Sequence, residues 1–225
     1  MKFTRRLSLV AFATALAGTW GSAWAADIQE AKKLVEKART TFAEVLRTQD
    51  FDSMRAGMKQ AKGVLIYPQV LKAGFFLGGS GGTGVLLVRG EKNDWSAPAF
   101  YTVGSVSFGL QFGGQESAMV ILINSQRAID GLMANSLKVG GEVSAAVGPV
   151  GVGQAANVTA DFVSYSKAKG AFLGMSIEGS VLDVRGSLNN AYYGKEVTPI
   201  DIVSKRNVAN RHAAALRKAI AAAAK

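Results

Sequence analysis

The spacing of apolar residues changes along the chain, and each change predicts a different element. From Asp27 to Arg47, Ile28, Ala31, Leu34, Val35, Ala38, Phe42, Val45 and Leu46 form one stripe at helical spacing. Asp27 and Glu30 have the spacing of a capping pair at its start. The segment is nearly balanced in charge, so its stripe is expected to pack on the protein's own sheet. A second, short helix is predicted from Phe51 to Ala61. Beyond Gly63 the period falls to two. Val106, Phe108, Leu110 and Phe112 fall on one face, with Ser105, Ser107, Gly109 and Gln111 on the other. Leu173, Met175, Ile177, Gly179 and Val181 repeat this alternation, and Ala118 to Ile123 reads as a strand buried on both faces. Gln126 to Asn135 reads as a helix within the strand region. Thr198-Pro199 has the form of an N-cap with proline at the first helical position. A basic, alanine-rich helix is predicted from about Ser204 to the end. The fold class is therefore α+β: a curved antiparallel or barrel-like β core flanked by N-terminal and C-terminal helices.

Glycine marks the same division. Of 26 glycines, 23 lie between Gly63 and Gly194 and none follows. Gly79-Ser80-Gly81-Gly82-Thr83-Gly84 fits G-x-G-x-x-G, but a dinucleotide loop must open a helix. The residues that follow, Val85-Leu86-Leu87-Val88, are strand formers, so the expectation is a flexible hairpin without nucleotide affinity. The segment Gly74–Val88 overlays Gly170–Val184 at an offset of 96 residues, with eight coincidences. Related sheet halves or a shared bias toward glycine and valine both account for this.

The first 25 residues have the composition of a secretory signal peptide. Lys2, Arg5 and Arg6 precede an apolar core from Leu7 to Ala17, and Ala23-Trp24-Ala25 is a small-residue cleavage junction. The core is shorter than the roughly 20 residues that cross a bilayer. The expectation is a single domain over residues 26–225, periplasmic or secreted. Without cysteine the chain has no disulfide and no thiol to acylate.

The full chain carries +10, unevenly spread. Gly63 to Gly194 holds 8 basic and 8 acidic residues, whereas Lys195 to Lys225 holds 7 basic and 2 acidic. Such a segment attracts anionic surfaces, or it forms a solvated helix face. On a helical projection, Val208, Ala209, Leu216 and Ile220 share one face, and Arg206, Asn210, Arg211, Arg217 and Lys218 the opposite one. Arg206, Arg211, Arg217 and Lys218 are the candidate lipid-binding residues, each cation contributing roughly 1 kcal/mol near an anionic membrane.

Catalytic patterns are missing. His212 is the only histidine, there is no G-x-S-x-G elbow, and the carboxylates lack the clustering of a calcium loop. No cofactor and no metal are expected, and the reading is non-enzymatic. Trp95, Phe100, Tyr101, Phe108 and Phe112 are read as core residues, with a ligand cavity or membrane interface as the other use. Tyr192-Tyr193-Gly194 is expected to close the sheet against the terminal helix.

Several ordered motifs carry a resemblance: AKGVLIYPQVLKAGFFLGGSGGTGVLLVRG, WSAPAFYTVGSVSFGLQFGGQ, VGPVGVG, SYSKAKGAFLGMSIEGSVL and NNAYYG. Together they resemble the SYLF domain, a lipid-binding family whose founding eukaryotic members also bind actin. The resemblance implies a phospholipid-binding module of the small exported bacterial type. Acidic lipids such as phosphatidylglycerol or cardiolipin are the implied ligands. Neither actin nor nucleic acid is expected as a partner outside the cytoplasm. Many relatives place a charged residue after the G-P-V-G turn, whereas here Gly148-Pro149-Val150-Gly151 is followed by Val152-Gly153. A structural or protein-interaction role using the glycine-rich sheet is the other reading.

Overall fold

A computed structural model of the chain describes residues 7–47, 52–74, 77–91, 94–108, 113–149, 159–168, 171–172 and 174–225. Gly109 to Phe112, Val150 to Gly153, Phe51 and Leu173, singled out above, lie outside the described residues, as does the basic start of the chain through Arg6.

The fold is α+β, a curled nine-stranded sheet with helices at both ends of the chain. Its centre is four long antiparallel strands: β1 (Gly63–Gly74), β2 (Leu77–Val88), β3 (Ala99–Phe108) and β4 (Gly113–Ile123). Short strands extend both sides: β5 (Ser136–Lys138), β6 (Ala145–Val147), β7 (Phe162–Ala168), β8 (Ala171–Phe172) and β9 (Val181–Val184). The order is β5-β9-β3-β2-β1-β4-β7-β6, with β8 paired to β7. Only β6 and β7 run parallel among the described pairs.

Helix α1 (Leu7–Arg47) and α2 (Asp52–Met58) lie on one sheet face with α4 (Gly186–Tyr193) and α5 (Ala214–Ala223). There Ala31, Val35, Ala38 and Phe42 of α1 pack with Val64, Ile66, Val120 and Leu122 of the sheet, and with Leu216 and Ile220 of α5. The stripe therefore faces the protein's own sheet. The opposite face, carrying Leu65, Tyr67, Tyr101 and Ile121, is covered by α3 (Gln126–Leu132) and by chain around Val139, Ile177, Ile202 and Val208. Because α1 runs through from Leu7 in the full chain, Asp27 lies within the helix there and not at its start. Trp95, Phe100 and Tyr101 are buried, and Met119 to Ile123 is closed on both faces.

The glycine motif is not a hairpin. Residues 79–84 lie inside β2, in register with both β1 and β3, and the β1–β2 connection falls between Gly74 and Leu77. The glycines answer to a β-bulge in β1, where pairing shifts between Ile66 and Gln69 on one side and between Tyr67 and Val70 on the other. A Cβ on Gly82 would lie 2.4 Å from the Gln69 carbonyl oxygen, and one on Gly84 2.4 Å from that of Ile66. The extra residue bends the strand, and glycine gives its backbone room to approach β2.

Two further expectations differ. Among the described residues the two copies of the repeat differ: Leu77–Val88 is one long strand, whereas the described part of Gly170–Val184 is broken into two short strands around a turn at Gly179, whose φ is +76°. Shared composition accounts for it. The terminal segment is also not one helix from Ser204. Thr198 Oγ1 accepts from the Asp201 amide (3.3 Å) and Asp201 Oδ2 from the Thr198 amide (3.0 Å). That capping box opens only a five-residue π-turn, Ile200–Ser204. Arg206 then adopts φ +53° and ends it, and Asn210 caps a 3-10 turn that leads into α5. Val208 enters the core on one sheet face, while Leu216 and Ile220 enter the other.

Candidate functional site

The four cations at the C-terminus divide into two pairs. Arg206 Nη1 pairs with Asp94 Oδ2 at 2.5 Å, and Nη2 donates to the Val88 carbonyl at 3.3 Å. Arg217 Nε donates to the Trp95 carbonyl at 2.8 Å. Both arginines thus hold the chain between β2 and β3, where Arg89 also stacks on the Trp95 ring at 5.2 Å. The C-terminal segment reaches back over more than a hundred residues to fix this connection. Arg211 and Lys218 are exposed, with no ion pair among the described residues. Leu216 and Ile220 are fully engaged in the core, so α5 keeps no large apolar side chain for a membrane.

His212 lies between α1 and α4. Its Nε2 is 3.4 Å from Glu36 Oε1, and its Nδ1 3.4 Å from the Tyr192 hydroxyl. Burial, with the Glu36 charge adding to it, pushes the Tyr192 hydroxyl well above the usual tyrosine range. Burial does the same to Tyr193, whose hydroxyl donates to the Pro98 carbonyl at 2.7 Å. These groups stay protonated at neutral pH and fasten α4 and the terminal segment to the sheet. The expectation that Tyr192-Tyr193-Gly194 closes the sheet is met, with Gly194 ending α4 at φ +69°. Asn189, wholly buried on α4, contributes to the same closure. Its Oδ1 accepts from the Phe100 amide at 2.9 Å and its Nδ2 donates to the Phe100 carbonyl at 3.3 Å, a side-chain substitute for a neighbouring strand. Among the described residues no three His, Cys, Asp or Glu side chains gather where they could hold a metal ion.

Among the described residues, Asp161 is the buried carboxylate. Its side chain is 5% exposed, and Oδ2 accepts from Arg127 Nη2 (2.6 Å), the Ser144 amide (2.8 Å) and the Ser144 hydroxyl (2.9 Å). Burial alone would raise its pKa. The bonds from Ser125, Ser144 and Arg127 outweigh burial and hold it well below the usual carboxylate range. All of these bonds are internal, so Asp161 ties β7 to the chain leading into β6 rather than offering a reactive group.

A half-open groove of about 250 Å³ lies on the other flank of α1, between this helix and the glycine-rich end of the sheet. Leu34, Pro68 and Leu71 form its apolar walls, Gly81, Gly82 and Thr83 its floor. Lys33 and Lys37, one helical turn apart, stand exposed at its rim together with Glu30. The bulge creates this groove. By shifting the alternation it turns Leu71 toward the α1 side opposite Gly81, where the leucine is 54% exposed. The Lys33–Lys37 spacing was visible in the sequence, but the bulge that sets Leu71 beside it was not. No described helix is long and apolar enough to cross a membrane.

Comparison with known proteins places this architecture. A family described as Ysc84, Las17-binding protein actin regulator, matches residues 104–223. An SH3 domain-containing protein of Schizosaccharomyces pombe is 38% identical over 154 residues, covering 65% of this chain and 36% of that protein. The human SH3 domain-containing YSC84-like protein 1 is 33% identical over 181 residues, covering 77% and 52%. Protein YSC84 of Saccharomyces cerevisiae is 35% identical over 156 residues, covering 66% and 33%. The chain thus spans about a third to a half of the length of these relatives.

Proposed function

This chain belongs to the Ysc84 (SYLF) family, and from that premise we propose that it is a non-catalytic module that binds acidic phospholipid at a membrane surface outside the cytoplasm. One observation carries the proposal: the C-terminal segment gathers the positive charge, and Arg211 and Lys218 face solvent without carboxylate partners among the described residues. The large apolar side chains of α5 are spent in the core, so attachment is electrostatic and superficial rather than inserted. The leader-like first 25 residues support a periplasmic or secreted, membrane-peripheral location. The family description refers to Las17 and actin. An extracytoplasmic chain would not meet them, and this reading puts a lipid surface in their place.

A protein-interaction role is the second reading. One observation favours it: among the described residues, β3 beyond Gly104 and β4 before Ala118 pair only inward, to β2 and β1, so that neither has a described outer neighbour at the glycine-rich end of the sheet. Open edges accept added strands.

Vesicle flotation separates the two readings. Residues 26–225 should float with vesicles rich in phosphatidylglycerol, remain in the pellet fraction with pure phosphatidylcholine, and release as salt is raised. Arg211→Gln with Lys218→Gln should weaken flotation while leaving thermal stability unchanged. Absence of flotation at every composition would reject lipid binding and leave the sheet edges as the functional surface.

A further inference from the structure

The groove beside α1 has features that the fold itself does not require. Gly82 and Gly84 are demanded by the bulge, but Gly81 is not. A Cβ there would meet only the Val103 carbonyl oxygen, at the ordinary contact distance of 3.6 Å. A Cβ fits beside the backbone there and would narrow the groove, yet position 81 carries none and Leu71 opposite it stays exposed. Lys33 and Lys37 stand over this apolar notch without an ion pair among the described residues. Apolar walls beneath two adjacent cations fit an amphiphile with an anionic head. Glu30 on the same rim reduces the local charge to a net +1, which matches a head bearing one negative charge and disfavours a multiply charged one. The volume, about 250 Å³, lies below the roughly 300–1,000 Å³ of pockets that enclose whole ligands.

We infer that this groove is a binding site for a single glycerophospholipid, its phosphodiester at Lys33 and Lys37 and the first part of one chain on Leu34, Pro68 and Leu71. The rest of the lipid stays outside the groove, so the protein docks on a lipid in place and does not extract it. The inference rests on the phospholipid-binding reading above and gives it a second attachment point, on the opposite flank of α1 from His212.

The test uses dihexanoyl phosphatidylglycerol, added as monomers, to ¹⁵N-labelled protein comprising residues 26–225. The Gly81, Gly82 and Thr83 amides should shift saturably. Lys33→Gln with Lys37→Gln should weaken binding on the order of 30-fold, the loss expected for two membrane-facing cations. Gly81→Leu should abolish the shifts while the thermal midpoint is kept, and both variants should float less on phosphatidylglycerol vesicles. Three results would overturn the inference: inorganic phosphate producing the same shifts, a short-chain inositol lipid with an added phosphomonoester binding more tightly, or transfer of fluorescent lipid between vesicles. Equal flotation of wild type and both variants would also overturn it, while leaving the phospholipid reading standing. Failure of the wild type to float at all would overturn both.

Discussion

Replacing Asp161 with alanine should cost about 3 kcal/mol at neutral pH. Three bonds to a charged acceptor are lost, each worth about 1.5–3 kcal/mol when fully buried. The sum is smaller because Arg127 is 65% exposed and contributes no more than about 1 kcal/mol, and because Ser144 is exposed and can turn to water. In a chain of this size, 1 kcal/mol moves the midpoint by about 2–4 °C, so a fall of about 6–12 °C is expected. The pH dependence gives the sharper assay. The folded pKa of Asp161 is depressed, so its stabilisation is present above the unfolded value near 3.9 and is lost as pH falls toward the folded value. Urea unfolding of wild type and Asp161→Asn should therefore differ most near pH 7 and converge as pH drops below about 4. A gap that stays constant between pH 7 and pH 3, or an Asp161→Ala variant within about 0.5 kcal/mol of wild type, would refute the reasoning.

Two other substitutions probe the corrected elements. Gly84→Val should destabilise by at least about 1–3 kcal/mol in chemical denaturation, since its Cβ would lie 2.4 Å from the Ile66 carbonyl oxygen and 2.6 Å from the Tyr67 ring; a neutral result would mean that residues 79–84 are a loop after all. Arg206→Ala should be less stable than Arg206→Gly by about 1 kcal/mol in thermal melts, because both lose the Asp94 contact but only glycine adopts φ +53° without penalty; equal midpoints would remove the strain argument.

The parts of the fold legible in the sequence are those whose burial follows a single period. The α1 stripe, the run from Met119 to Ile123 and the helix beginning at Gln126 each face one environment along their length, so spacing alone reported them. Three features escaped because their cause is tertiary. The bulge at Pro68 exists only in relation to β2, and the glycines that serve it read locally as a turn. Helix α4 is short, and its buried Asn189 is a polar residue whose role is to satisfy the Phe100 backbone. The terminal segment carries apolar residues at helical spacing, yet Val208 and Leu216 serve opposite faces of the sheet. The same contacts explain the candidate cations. Charge was readable from the sequence, but the engagement of Arg206 and Arg217 with Asp94 and Trp95 was not.

The path of the last 31 residues has a consequence for assembly. They wrap from one side of the sheet to the other, placing Val208 on one face and Leu216 and Ile220 on the other, and they fasten a connection made over a hundred residues earlier. Such a strap cannot be laid down until both faces exist to receive it. During synthesis the chain must therefore wait, its sheet formed but unfastened, until residues 195–225 emerge. In that interval the apolar seats of Val208, Leu216 and Ile220 are open to water and to one another on neighbouring molecules. Truncating the chain just before Val208 would make that waiting state permanent.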